Sequence, residues 1–276
     1  MPELPEVETI ARLLREGQGP IPAILERRIL AVHLLWERTL QTPAPDEFRR
    51  RLQGEVFCAV NRRGKFLVLQ LTQAVMLVHL RMSGDLFIEP GSATPAPHHR
   101  LYFELDEGLR LAFNDARKFG RVWLTEDAQT VLADLGPEPL DDSFTAMQLH
   151  QGLQARRRQL KPLLLDQTFL AGLGNIYTDE ALHRAKLHPA MLSQNLNTEQ
   201  ATALWDSIRQ VLREGIQRNG ASIDWVYRGG EFQNHFQVYQ RTGRPCPVCG
   251  ATIQRMVIGQ RGTHFCPSCQ PLPEGR

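Results

Sequence analysis

The chain has no apolar run of about 18 residues, the length a membrane-spanning helix requires, so no membrane segment is expected. Nor does it open with a basic segment leading into an apolar stretch, which argues against a secretory signal and for a cytoplasmic protein. Internal repeats and low-complexity tracts are absent, which sets aside repeat architectures. Net charge is nearly absent, +2 over 276 residues, and so small a total says nothing by itself about an anionic partner. Cysteine is scarce. There are five, and Cys58, in the apolar stretch EVFCAV, is the one outside a C-terminal cluster; it reads as plain packing.

What is present is unevenly spread. Residues 1–143 carry 17 Lys/Arg against 21 Asp/Glu, whereas residues 144–276 carry 15 against 9. The second half is therefore the better candidate for an anionic partner, with a solvated basic face as the alternative. Residues 5–16 place Val7, Ile10, Ala11 and Leu14 on one helical face. Pro5 suits the first helical position, Glu6 and Glu8 suit the positive end of the dipole, and Gly17 marks a stop. From about 24 to 125 the texture is of short strands: ILAVHLL, EVFCAVNRRGKFLVLQL, VMLVHLRMSGDLFI, RLYFEL, LRLAF and RVWL, punctuated by turn residues. Many short strands imply a β-sandwich or barrel, with PGSATPAPHH as a surface loop. GPEPLDDSF (136–144) reads as a hinge with little to pack. Beyond it LHQGLQARRRQLKPLLLD, NIYTDEALHRAKL and TEQATALWDSIRQVLREGIQR are helical, and ASIDWVYRGGEFQNHF reads as a loop.

Four features carry chemistry. Cys246, Cys249, Cys266 and Cys269 form two C-x2-C pairs 16 residues apart, a spacing that suits a closed tetrahedral Zn²⁺ site. Disulfides are the alternative, disfavoured in a cytosolic chain. Between the pairs TIQRMVI, GQRG and THF predict a hairpin that holds Arg261 at its tip, aimed at a phosphate. LAGLGNIYTDEAL ends a glycine-containing turn on Asn175 and starts a helix, an arrangement that can hold a phosphate, with Lys161 and Arg156, Arg157 and Arg158 as nearby cations. Asn175 could equally be a plain N-cap. RMSG and NDARKFG place Met82, Arg117 and Phe119 at strand ends, where the two apolar residues are either core or wedges pushed between DNA bases.

The fourth feature is the terminus, MPELPE. A small residue such as Pro at position 2 allows removal of Met1, exposing Pro2 as a secondary amine that attacks an aldehydic carbon to give an iminium. A free α-amine has a pKa of about 7.7–8.0, and a helix N-terminus lowers it further. Glu3 beside it can protonate a leaving oxygen. The alternative is that PELPE merely starts a helix.

Together MPELPEVET, RRGKFL, HLRMSG, DARKFG, GPEPL, GLGNIYTDEAL, the HP at 188–189 and QVYQRTGRPCPVCG…GQRGTHFCPSCQ resemble the bacterial formamidopyrimidine-DNA glycosylases, in the family's order and over nearly the whole chain. That resemblance implies an α+β fold: an N-terminal β-sandwich with flanking helices (1–135), a helix-two-turn-helix DNA-binding region with a lesion-capping loop (145–235), and a zinc-finger β-hairpin (236–271). It implies a monomeric bifunctional glycosylase and lyase that binds duplex DNA containing oxidised purines or abasic sites between its lobes. The damaged nucleotide is flipped out, because its C1′ cannot be reached inside a duplex. By resemblance Pro2 is the Schiff-base nucleophile and Glu3 the general acid. Lys65 is the donor for β-elimination, and Arg261 the donor for δ-elimination. Asn175, Lys161 and Arg157 fall where the family contacts phosphates, and His98 matches a DNA-contacting histidine, with His99 the other possibility. Met82, Arg117 and Phe119 fill the vacated space and probe the opposite cytosine. One structural zinc on the four cysteines is implied, and no cofactor in the chemistry.

Two departures bear on specificity. DARKFG replaces the commoner DPRRFG, which alters the turn but leaves the wedge. RGGEFQNHF is shorter than in some members, in the region that caps the flipped base. The nearest rival is an endonuclease VIII-like enzyme for oxidised pyrimidines, whose start reads more like PEGPEI; a non-catalytic zinc-ribbon binder of damaged DNA is the rival from another class.

Overall fold

A computed structural model describes residues 1–223 and 229–272. The chain forms two compact units, Met1–Ala133 with Ser222–Gly230, and Asp134–Ala221 with Glu231–Arg276.

The first unit runs α1 (Leu4–Glu16), β1 (Ile29–Leu34), β2 (Leu40–Thr42), α2 (Pro45–Leu52), β3 (Phe57–Arg63), β4 (Phe66–Leu71), β5 (Val75–His79), β6 (Gly84–Pro90), β7 (His99–Leu105), β8 (Leu109–Asp115), β9 (Arg121–Thr125) and α3 (Gln129–Leu132). A four-stranded sheet has the order β1-β7-β8-β6, and a five-stranded sheet the order β2-β9-β5-β4-β3. The two share one core because alternate residues of each strand point the same way. Leu101 and Phe103 of β7 and Leu111 and Phe113 of β8 meet Leu67 and Leu69 of β4 and Met76 and Val78 of β5 in a single buried cluster. Each such side chain contributes about 1.5–3 kcal/mol by leaving water. β5, the middle strand of its sheet, is buried at every position.

α1 lays Val7, Ile10, Ala11 and Leu14 on that core, the face its periodicity predicted. It starts one residue earlier than expected. Glu3 is the N-cap, and its amide donates to Glu6 Oε2 at 2.8 Å as part of a capping box. Pro5 therefore stands second, where its missing N–H is still harmless. Gly17 ends the helix at φ 77°, and a Cβ there would sit 2.6 Å from the Ile21 carbonyl oxygen. α2 was not foreseen. Only Phe48 and Leu52 are buried on it, too few apolar residues to show a period. Cys58 is exposed on β3 between buried Phe57 and half-buried Ala59; the alternation places it outside the core, against the reading of it as packing.

The second unit contains α4 (Ala146–Gln154), α5 (Leu160–Leu164), α6 (Asn175–Arg184), α7 (Thr198–Gln217) and the antiparallel pair β10 (Gln254–Ile258) and β11 (Arg261–Phe265). α7 is capped by Asn197, whose Oδ1 accepts from the Gln200 amide at 2.8 Å, and it buries Leu204, Ile208, Val211 and Leu212. The segment read as a hinge is firmly held. Arg209 of α7 donates to the carbonyls of Pro139 and Asp141 at 3.0 and 2.8 Å and to Asp142 Oδ1 at 2.8 Å. The Trp205 indole donates to the Phe144 carbonyl at 2.9 Å. Gly136 sits so close to the chain at Phe169 that a Cβ would fall 2.6 Å from its carbonyl carbon. The polar loop read after α7 also packs in part: Phe232 and Phe236 are buried, with Phe232 stacked on Tyr177 at 5.1 Å. The stretch expected to cap a flipped base includes residues 224–228, which lie outside the described residues.

Candidate active terminus, loop wedge and metal centre

The N-terminus of α1 is the first candidate centre. Met1 is half exposed, while Pro2 and Glu3 are buried directly behind it, so removing Met1 would uncover an amine set in a structured wall. α1 is clamped to the sheet beneath. Arg62 Nε of β3 pairs with Glu8 Oε2 at 3.1 Å, and Arg15 donates to the Val60 carbonyl at 2.9 Å. The same Arg62 donates to the Gly64 carbonyl at 3.1 Å, which ties α1 to the β3–β4 turn carrying Lys65. Lys65 is 5% exposed. Its charge is felt by His79 at the end of β5: burial first, then the charges of Arg81 and Lys65, hold that imidazole down to about 3. A neutral His79 then accepts the Arg81 amide at Nδ1, 3.1 Å away, and fixes the bend that leads into Met82.

The second feature is the loop at residues 115–120. Asp115 is fully buried, and its carboxylate organises the turn. Oδ2 accepts from the Gly120 amide at 2.7 Å, and Oδ1 accepts from the Arg117 amide at 3.2 Å and from the Ser83 hydroxyl. Ser83 Oγ in turn accepts from the Arg117 amide at 3.1 Å, so RMSG and DARKFG are bound together. The product is a rigid base under an exposed tip: Arg117 lies 5.2 Å over the ring of Phe119, which is 46% exposed. Phe119 is thus not a core residue, and Met82 is half-buried beside the same turn. His98 is exposed nearby, its carbonyl accepting from the Asp115 amide at 2.8 Å. His99 is 2% exposed, its charged form disfavoured chiefly by burial, so of the pair only His98 can meet a ligand.

In the second unit Lys161 is fully buried, and it donates to Asp179 Oδ1 at 2.5 Å and to the Asn175 carbonyl at 2.9 Å. Asp179 Oδ2 accepts from the backbone amide of His264 at 2.9 Å and lies 3.0 Å from its Nδ1. These bonds join α5, α6 and β11. Lys161 therefore turns inward, its ammonium held by Asp179 and the Asn175 carbonyl. Asn175 is not the N-cap of α6; Gly174 is. Asn175 donates through Nδ2 to the Gly262 carbonyl at 3.0 Å, beside Arg261, and its Oδ1 is buried with no partner among the described residues. Of the three neighbouring arginines, Arg156 stacks on Phe169 at 5.0 Å and Arg158 pairs with Asp166 at 2.7 Å. Arg157 is exposed.

The hairpin turns through Gly259 and Gln260, both at positive φ, the geometry of a two-residue turn that matches strand twist. Arg261 follows at the mouth of the turn, paired with Ile258 and exposed. The four cysteine sulfurs lie within 4.8 Å of one another, with Cys246–Cys269 at 3.9 Å and Cys249–Cys266 at 3.4 Å. Zinc–sulfur bonds of about 2.3 Å put tetrahedral sulfurs about 3.8 Å apart, so the set fits zinc. No disulfide links them.

Sequence reasoning passed over Asp115, Ser83, His79 and Asp179, which are buried and fix neighbouring candidate residues in place. An Asp two residues before Arg117 in a glycine-closed turn was the available signal.

Comparison with known proteins places these features in order. The family profile for the formamidopyrimidine-DNA glycosylase N-terminal domain matches residues 1–122, that for the formamidopyrimidine-DNA glycosylase H2TH domain residues 135–226, and that for the zinc finger found in FPG and IleRS residues 243–272. The formamidopyrimidine-DNA glycosylase of Chloroflexus aggregans is 45% identical over 99% of this chain and 99% of its own length. That of Symbiobacterium thermophilum is 43% identical over 100% of this chain and 91% of its own. Among solved structures, MutM in complex with DNA containing carbocyclic 8-oxo-G superposes with a TM-score of 0.90 at 36% identity, covering 98% of this chain and 100% of that one. The Lactococcus lactis FPG (MutM) bound to Fapy-dG DNA gives 0.90 at 34%, with the same coverage.

Proposed function

The chain belongs to the formamidopyrimidine-DNA glycosylase family, and from that premise we propose how its own residues divide the work. The protein is a DNA glycosylase with lyase activity that removes oxidised purines from duplex DNA, and it carries one structural zinc on Cys246, Cys249, Cys266 and Cys269. No described helix is long and apolar enough to cross a membrane. We place the enzyme in the bacterial cytoplasm, at work on the nucleoid.

The observation that carries the assignment of roles is the buried Pro2–Glu3 pair at the head of α1. After Met1 is removed, the Pro2 nitrogen bonds to C1′ as the glycosidic bond breaks, and the damaged base departs with the proton the amine gives up. The C1′–O4′ electron pair moves to oxygen, which Glu3 protonates, and the sugar opens to an iminium. That cation draws electrons from the neighbouring C–H bond: loss of the C2′ proton expels the 3′ phosphate, and loss of the C4′ proton then expels the 5′ phosphate. Lys65 serves the first elimination and Arg261 the second. A one-nucleotide gap flanked by phosphates remains. Met82, Arg117 and Phe119 occupy the space the flipped nucleotide leaves. His98, Arg157 and Asn175 meet the phosphates, and Lys161 acts on them only through Asn175 and Asp179.

Borohydride trapping on a duplex with one 8-oxoguanine opposite cytosine tests this. Wild type, confirmed to begin at Pro2, gives a covalent adduct mapping to Pro2 and a gapped product; Pro2→Gly gives neither. An adduct that maps to a residue other than position 2, in wild type or Pro2→Gly, would move the nucleophile elsewhere. Trapping on an abasic site but not on 8-oxoguanine would keep the lyase chemistry and remove the purine specificity.

A further inference from the structure

The loop that presents Arg117 and Phe119 has a second support besides Asp115. Lys118, at its tip, has φ 61°, a left-handed conformation that a residue with a Cβ rarely adopts. Its ammonium lies 4.1 Å from the centre of the Trp36 indole. Trp36 belongs to the connection after β1, and that connection is tied to the same loop through one residue. The amides of Leu35 and Trp36 donate to the Arg100 carbonyl at 2.9 and 3.0 Å. The Arg100 side chain donates from Nε to the Asp115 carbonyl at 2.7 Å and from a terminal nitrogen to the Pro97 carbonyl at 3.2 Å. The indole, the exposed His98 segment and the wedge loop are thus fastened to one arginine.

The choice of tryptophan here is informative. Its indole N–H is buried without a hydrogen-bond partner among the described residues. A buried donor left unpaired is destabilising, and a phenylalanine would fill the space without it. What tryptophan adds is the largest and most electron-rich face available to a cation.

We propose that Trp36 is a positioning residue: it holds the Lys118 ammonium over its ring, and so fixes both the side chain of Lys118 for a DNA phosphate and the tip of the Arg117–Phe119 wedge. The proposal rests on the glycosylase reading above. Because the pair exists before DNA arrives, its loss weakens binding of ground state and transition state alike, which raises KM and spares kcat.

The experiment is steady-state excision of 8-oxoguanine opposite cytosine by wild type, Trp36→Leu, Trp36→Phe, Lys118→Met and the Trp36→Leu/Lys118→Met double variant. Trp36→Leu should raise KM about fivefold with kcat retained, the size of one cation–π contact. Trp36→Phe should recover to within about twofold of wild type, since a smaller ring face remains. In the Lys118→Met background Trp36→Leu should have no further effect. A second full loss in that background, or failure of Phe to restore KM, would overturn the proposal. Should wild type fail to excise 8-oxoguanine, the glycosylase reading falls separately, and the pair is judged by NMR on the free protein: Lys118 ε-methylene protons shifted upfield by the indole ring, and unshifted in Trp36→Leu. Unshifted protons in wild type would sink it.

Discussion

The sandwich closes over an apolar core drawn from both sheets and two helices, Phe48, Phe57, Phe103 and Phe113 among its side chains. Around the β10–β11 hairpin the buried cluster is Val238, Cys246, Ile253 and Cys266, all outside the two strands and two of them metal ligands. The strands themselves bury only Ile258 and Phe265 as large apolar residues among the described residues. The difference shows what each region is built to do. The sandwich anchors α1 by apolar burial together with the Arg62–Glu8 pair and the Arg15–Val60 bond, and the Pro2–Glu3 head rests on that surface. The hairpin has too little apolar surface to fold on hydrophobic burial, and its position is fixed by zinc together with the Lys161–Asp179–His264 bonds. One region holds the head of α1; the other holds the hairpin that carries Arg261.

The comparison breaks most visibly if the metal is taken away. Zinc binding by small cysteine modules is worth about 10–16 kcal/mol of folding free energy, more than the roughly 3–6 kcal/mol that burial of Val238 and Ile253 supplies. A strong chelator should therefore expose the amides of β10 and β11 to hydrogen exchange and abolish DNA binding, while β4, β5 and β8 stay protected. Protection of β10–β11 that survives zinc removal would show that the hairpin carries a core of its own. A smaller effect sharpens the contrast from the polar side. Lys161→Met strands the Asp179 carboxylate in the interior and should cost about 3–5 kcal/mol in urea unfolding of the second unit. Its purely apolar counterpart, Phe103→Ala in the sandwich, should cost a similar 3–5 kcal/mol by leaving a cavity. Loss of DNA affinity without loss of stability in Lys161→Met would return Lys161 to the phosphate-binding residues.

How much of this could be read from sequence differs between the same two regions. β3 to β9 were legible as apolar runs because a strand in a sandwich must alternate, and α1 because its apolar residues recur at helical spacing. The zinc quartet was legible from ligand spacing, which chemistry fixes locally. What failed was anything decided by a distant partner. The 136–144 segment looked loose until Arg209, from α7, was seen to hold it. Lys161 looked like a surface cation because nothing near it in sequence reveals Asp179. Cys58 looked buried because its neighbours are apolar, though strand alternation could have placed it outside. Asn175 fitted an N-cap, and only the Gly262 carbonyl explains where its side chain points.

Acid offers the finest separation of the two regions. His79 has a folded pKa of about 3, lowered by burial and by the charges of Arg81 and Lys65, against 6.5 when unfolded. Between those values the unfolded chain binds a proton that the folded sandwich refuses, so stability falls as pH drops below 6.5 and continues to fall toward 3. At pH 5 the loss from this one group is about 2 kcal/mol. His79→Gln keeps an acceptor for the Arg81 amide and cannot be protonated, so the fall in sandwich stability between pH 7 and 5 should shrink by about 2 kcal/mol in that variant. The hairpin answers acid by a different route, protonation of its thiolates and release of zinc, and its transition should not move. If His79→Gln shifts the hairpin transition as well, the two regions unfold as one and the contrast between an apolar anchor and a metal-held presenter is lost.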